Sequence, residues 1–194
     1  MIFCMTMTEP SSQQDAAVLE NCIARMACGD REALATLYRY ARVPVYGLAM
    51  SILKNHADAE DVLQDCLIRV WSAADRYQPQ GKPMAWILTI ARHLAYDRTY
   101  ARTRTQDMRE GDWQAIPDGQ PNVTAEDRIT LETLLNTLGD QERQIVVLHA
   151  LAGLKHREIA DMLELPLATV LSKYHRTMKK LQQTWKEADE HALS

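Results

Sequence analysis

Apolar residues recur every three or four positions through two long stretches of this chain, and over residues 105–124 that rhythm stops. Stripes of this period can be buried only by packing helix on helix, so the pattern predicts an all-α chain of two small helical domains joined by a linker. The interruption is built from Asp107, Glu110, Gly111, Asp112, Pro117, Asp118, Gly119, Pro121 and Asn122, residues that sustain neither helix nor strand. The boundaries follow: residues 1–14 as a disordered start, 15–104 as the first domain, 105–124 as linker, 125–188 as the second domain and 189–194 as a tail.

In the first domain, Leu19, Ile23 and Met26 form a stripe that ends at Gly29. A second begins at Ala33, Leu34, Leu37 and Tyr38 and continues through Ile52 and Leu53, with Pro44 expected to kink or restart the helix. Asn55 is a candidate N-cap for a helix whose apolar side is Ala59, Val62, Leu63, Cys66, Leu67 and Val70. Residues 77–83 read as a loop, followed by a helix over about 84–102 that buries Trp86, Ile87, Ile90, Ala91 and Leu94. In the second domain Ile129, Leu131, Leu134, Leu135 and Leu138 precede Gly139, and Asp140 is expected to cap a helix over 141–152. A short helix over 154–163, a turn at Glu164-Leu165-Pro166 and a longer helix over about 167–187 complete the chain.

Charge and composition narrow the function. A net charge of −4 argues against a wholly basic coat for nucleic acid, but leaves room for local basic patches. The four cysteines, Cys4, Cys22, Cys28 and Cys66, form no CxxC pair and read as reduced thiols. No run approaches the ~20 apolar residues that span a bilayer, and residues 1–8 lack the basic start of a signal peptide. A cytoplasmic protein without membrane insertion is expected.

The short helix, tight turn and longer helix at 154–187 have the order of a helix-turn-helix. Ile159, Ala160 and Leu163 face inward from the first helix, and Val170, Tyr174, Met178 and Leu181 from the second. The other face of the second carries Thr169, Ser172, Lys173, Arg176, Lys179 and Lys180, with no acid between Leu167 and Lys180. Hydroxyls and cations so arranged suit base edges and phosphates of a major groove, although a solvated basic face is the plainer alternative.

The first domain pairs two opposite surfaces. Lys82, Arg92, Arg98, Arg102 and Arg104 cluster with His93, Tyr96 and Tyr100 around the helix over 84–102. Cations that track a backbone beside rings that stack on bases suit a single strand, while cations near a helix C-terminus also stabilise its dipole. Glu60, Asp61 and Asp65, interrupted by Gln64 and Arg69, give an acidic surface that suits a basic helical partner or, more simply, the helix N-terminus.

Three stretches carry a resemblance. They are Ala59-Glu60-Asp61-Val62-Leu63-Gln64-Asp65 with Arg69-Val70-Trp71, then residues 85–98 (AWILTIARHLAYDR), then Ile159-Ala160-Asp161-Met162-Leu163-Glu164-Leu165-Pro166 leading into Thr169-Val170-Leu171-Ser172-Lys173. In this order and spacing the chain resembles the extracytoplasmic-function class of sigma factors (group 4 of the sigma-70 family) over about residues 30–185. The resemblance implies a sigma region 2 bundle followed by a region 4 helix-turn-helix. It implies that Glu60, Asp61, Gln64, Asp65 and Arg69 dock on RNA polymerase core. It implies that Lys82, Arg92, His93, Arg98, Arg102 and Arg104 capture the −10 element as a single strand, with flipped bases held near the 77–83 loop. Thr169, Leu171, Ser172, Lys173, Arg176 and Lys179 would read the −35 duplex. An anti-sigma factor is the further partner the family implies.

The chain departs from the family pattern at three positions. His93 stands where Asn is usual, Glu164 where Gly is usual, and Leu171 where a basic residue is common. Leu171 can meet a thymine methyl. A conventional helix-turn-helix regulator with an N-terminal sensing or dimerisation domain is the alternative reading, and it leaves the Arg92 cluster and the Asp61 helix without a task. Neither HExxH nor a Gly-rich phosphate loop nor a triad-like arrangement is present, so no enzyme and no cofactor are expected. His149 and His156 flank a helix end and could share a metal ion, but packing roles are the plainer expectation.

Overall fold

The computed structural model describes the backbone of residues 13–105 and 137–192. Its helices are α1 (Gln13–Ala27), α2 (Arg31–Leu53), α3 (His56–Ala73), α4 (Pro83–Thr105), α5 (Asp140–Ala150), α6 (His156–Leu163) and α7 (Leu167–Ala192), with a 3₁₀ turn at Ala74–Arg76. No strand occurs among the described residues. The linker and the apolar set from Ile129 to Leu135 lie outside them.

Side-chain caps define the first helices. The Asp30 carboxylate accepts from the Glu32 N–H at 2.9 Å and opens α2. Arg25 at the end of α1 holds the same carboxylate, which keeps its pKa below the usual range. Asn55 accepts from the Asp58 N–H at 3.0 Å and opens α3, as its sequence position suggests. Several boundaries differ from expectation: α5 ends at Ala150 and α6 begins at His156, each inside the expected span. Gly139, rather than Asp140, is the N-cap of α5, and Glu142 reaches back to accept from the Gly139 N–H at 3.2 Å. The chain stays helical to Ala192, so most of the anticipated tail belongs to α7.

α2 runs through Pro44 without a restart. Pro44 and its neighbours Ala41, Val45, Leu48 and Ala49 are all buried, so packing on both sides compensates for the backbone hydrogen bond that proline cannot make. α1, α3 and α4 pack around this helix. α3 contributes Ala59, Val62, Cys66 and Val70, and α4 contributes Met84, Ile87, Leu88, Ala91 and Ala95. The Cys66 thiol donates to the Ile87 carbonyl at 3.6 Å, and burial pushes its pKa up to about 12, as befits a packing thiol rather than a reactive one.

The second half does not stand apart. α5 packs along α2 and α6 touches α4. Ile145, Leu148, Ile159 and Val170 join Leu37, Leu48, Cys66 and Ile87 in one continuous buried cluster. The periodicity foretells two helical units; the structure adds that they share a core.

Candidate nucleic-acid interface

The most sharply formed element is the crossing of α6 and α7. α6 ends at Glu164, whose φ of +55° places it in the left-handed region. The Leu165 N–H then donates back to the Ala160 carbonyl at 3.0 Å, the closure that normally selects glycine at the left-handed position. The family's usual Gly therefore answers a backbone need, and Glu164 meets it under strain. The Pro166 carbonyl accepts from Thr169 and Val170 at 2.9 and 3.2 Å and starts α7. Ile159, Ala160, Leu163 and Val170 are buried at the crossing.

The outward face of α7 is intact. Leu171, Ser172, Arg176 and Lys179 are exposed, and Thr169 and Lys173 are half-buried. The Arg176 Nε donates to the Ser172 carbonyl at 3.3 Å along the helix. Lys180 has a different task from the one its place on the basic face suggests. Its Nζ donates to the Thr137 carbonyl at 2.6 Å and ties α7 to the approach to α5.

Behind that face lies a cluster of rings. His149 and His156 stand 4.4 Å apart, and Tyr174 meets them edge-on at 4.9 and 4.7 Å. The His149 Nδ1 is 2.9 Å from the Leu154 carbonyl. Burial, then the neighbouring His149 and His175, pushes the His156 pKa below its ordinary value. Among the described residues, no group of three or more His, Cys, Asp or Glu suits a metal ion, and the pair packs around Tyr174.

On the other half, α1 fixes the 77–82 loop. Glu20 accepts from the Tyr77 hydroxyl at 3.3 Å and from the Gly81 N–H at 2.8 Å. Tyr77 leans on Trp86 at 4.7 Å, and burial with the Glu20 charge pushes its phenol up to about 12. Lys82 is exposed at the loop's end, with its Nζ 3.8 Å from Glu158 of α6. Along α4, the Arg92 guanidinium lies over the Tyr96 ring at 5.1 Å, and its Nε is buried without a hydrogen-bond partner. His93 and Tyr100 are exposed. Arg102 and Arg104 lie on the last turn of α4, beyond the described side chains.

The structure joins two surfaces that read as separate in the sequence. Arg98 sits opposite the α3 acids: its Nε is 3.1 Å from Asp58, its guanidinium bonds Asp61, and Asp65 lies 3.9 Å away. The remaining acidic face, with Glu60, Gln64 and Arg69, is exposed, and Ile68 projects from it at 64% exposure. Sequence reading missed Glu20 as the loop's anchor, since the contact spans 57 residues. It also missed Gln144, whose Nε2 donates to the Tyr96 hydroxyl at 3.2 Å across the two halves.

Comparison with known proteins agrees with this geometry. The sigma-70 region 2 family matches residues 37–105 and the sigma-70 region 4 family matches residues 128–181. The ECF RNA polymerase sigma factor SigK of Mycolicibacterium vanbaalenii is 30% identical over 175 residues, covering 86% of this chain and 89% of that protein. SigK of Mycobacterium ulcerans is 28% identical over 183 residues, covering 91% and 97%. Among solved structures, CnrH in complex with the cytosolic domain of CnrY superposes with a TM-score of 0.61 at 22% identity, covering 88% of this chain and 98% of that one. The sigma factor RpoE of Bartonella quintana, in complex with the anti-sigma factor NepR, gives 0.62 at 23% identity, covering 73% and 89%. The structural matches speak for the fold and the sequence matches for descent: with both regions in order and relatives aligned over nearly their whole length, the chain belongs to the ECF RNA polymerase sigma factors of the sigma-70 family.

Proposed function

We propose a division of labour among the named side chains of this sigma factor. The exposed row Leu171, Ser172, Arg176 and Lys179 on α7, with Thr169 and Lys173 at its margin, reads the −35 duplex. Lys82, Arg92, His93 and Arg98, continued by Arg102 and Arg104, hold the opened −10 strand. Glu60, Asp61, Gln64, Asp65 and Arg69 meet the polymerase core. The observation that carries this reading is the exposed α7 face, which follows a fully packed helix crossing and presents hydroxyl, apolar and cationic groups with no acid among them. Such a helix fits a major groove, where its first turns meet base edges and later cations meet phosphates.

As a sigma factor the subunit confers promoter recognition on RNA polymerase core and catalyses no reaction itself. Core fixes the two readers at a set separation, so each modest contact with DNA raises the effective concentration of the other. The site of this work is the cytoplasm, and no described helix is long and apolar enough to cross a membrane. The control we assign it is an anti-sigma factor, supported by the solved relative RpoE, which was captured with the anti-sigma factor NepR.

Run-off transcription with purified core and a library of genomic fragments tests the reading. Start sites that appear only with this subunit are expected, and Asp61→Lys is expected to weaken core binding through charge reversal. A subunit that neither associates with core nor directs any start site overturns it. Unchanged core binding by Asp61→Lys removes that residue from the docking surface.

A further inference from the structure

Glu20 lies in the middle of α1, a helix that carries none of the residues given above to DNA or to core. Leu19 before it and Ile23 one turn on are buried, so α1 is fixed against the bundle and Glu20 with it. Its carboxylate joins the two ends of the 77–82 loop. The same Oε1 accepts from the Tyr77 hydroxyl at 3.3 Å and from the Gly81 N–H at 2.8 Å. Burial, then the Glu20 charge, pushes the Tyr77 phenol up to about 12, so its hydroxyl stays a donor near neutral pH. Trp86, one turn into α4, backs the Tyr77 ring at 4.7 Å.

Between those two bonds Gln78, Pro79 and Gln80 are exposed, and Lys82 follows them at the surface. Gly81 sits at φ +70°, in the left-handed region, yet a Cβ built there would meet nothing within 4 Å. Glycine is therefore needed for the course of the backbone and not for room. The loop is an exposed arch whose shape is set at its foot, by a left-handed glycine held by an acid from another helix. By charge alone that acid is out of place. It bonds the residue next to Lys82, on a surface assigned to a polyanion, where a carboxylate repels phosphates. Its hydrogen bonds are the compensating contribution.

We propose that Glu20 is a positioning residue for strand capture: by clipping Tyr77 to Gly81 it holds the 77–82 arch in the shape that receives an unstacked base of the −10 strand, before the strand arrives. The inference rests on the −10 assignment proposed above and adds to it a residue that acts through the loop. A loose arch has to be ordered as the base enters, and that ordering is subtracted from affinity, whereas a clipped arch is ordered already by folding. The clip also sharpens choice, because a pocket held in one shape by a supporting residue rejects bases that a pliable loop accommodates.

The test uses holoenzyme assembled from core and the full chain. The probe is a labelled single strand carrying the −10 region of a start site found by run-off transcription, with a set in which each position is changed in turn. Glu20→Ala removes both bonds and should weaken binding of the native strand about tenfold, with discrimination lost chiefly at one position. Glu20→Gln deletes the charge but keeps an acceptor oxygen, and should restore most of both. Charge alone predicts the opposite: each variant removes an acid near phosphates, and each would bind more tightly. Tyr77→Phe removes one of the two bonds and should fall between Glu20→Ala and wild type. Gly81→Ala leaves Glu20 in place but strains the left-handed position. It should repeat the loss seen in Glu20→Ala, and it carries the test if that chain fails to fold in a circular-dichroism melt. Wild-type discrimination in Glu20→Ala or Gly81→Ala, tighter binding by Glu20→Ala, or a Glu20→Gln chain as weak as Glu20→Ala each overturns the positioning role. So does a loss that is equal for every strand, scrambled ones included, since it marks general damage. Failure of wild-type holoenzyme to bind the native strand instead overturns the −10 reading, and the clip's role with it.

Discussion

Arg98 on α4 donates from its Nε to Asp58 on α3 at 3.1 Å, across 40 residues of sequence. Asp61 and Asp65 complete a carboxylate row along the same guanidinium. The cation expected to meet the −10 strand is therefore shared with the acids expected to meet core, and the two surfaces are electrostatically coupled. The pair braces α3 against α4 at a partly exposed site, where such interactions are worth about 1 kcal/mol. Arg98→Ala should lower the stability of the subunit by about that amount in urea titration, and the loss should shrink in high salt. An unchanged midpoint would mean that the brace is geometric only.

Glu164 occupies a left-handed position at φ +55°. A side chain costs roughly 1–2 kcal/mol there, and glycine returns roughly 0.5–1 kcal/mol of that through its freer unfolded state. Glu164→Gly should thus stabilise the helix-turn-helix by up to about 1 kcal/mol, seen as a raised melting temperature. A destabilised Gly variant would point to a native contact of the Glu164 side chain that offsets the strain.

Arg176 is exposed on the α7 face and bonded only within its own helix in the described contacts. Removing it should leave folding unchanged. Arg176→Ala should weaken −35-dependent initiation, by about 1–3 kcal/mol in duplex binding if it meets a base. Titration of holoenzyme on promoters with altered −35 sequences separates the cases: a base contact relaxes preference at one position, a phosphate contact weakens all sequences alike.

His156 has its folded pKa held below 6.5, first by burial and then by His149 and His175. Its neutral form is therefore the one the fold accepts. The unfolded chain binds a proton more readily, so stability is full above the unfolded value near 6.5 and declines as pH falls toward the lower folded value. The melting temperature should drop between pH 7.5 and pH 5.5, and His156→Gln should drop less over the same interval. Equal slopes in both chains would remove His156 from the pH dependence.

The helices, their order and most of their inward faces were legible in the sequence because each follows from local rules. Asn55 caps, Gly29 and Gly153 stop helices at positive φ, and the spacing of Ile159, Ala160, Leu163 and Val170 already describes two helices crossing. The resemblance was legible for the same reason, since its three stretches are contiguous. Pro44 was less so: a proline signals a break unless burial on both sides holds the helix together, and the residue alone does not say which.

The sequence by itself determined that this protein is two helical units with a basic outward face on the last helix, because periodicity and charge pattern act over a few residues at a time. Only the tertiary structure decided where Arg98 points, what anchors the 77–82 loop, and that Gly47 lets Leu151 and Val147 approach α2. Those depend on pairs tens of residues apart, whose meeting is set by the packing of whole helices and leaves no mark in the local order of either partner.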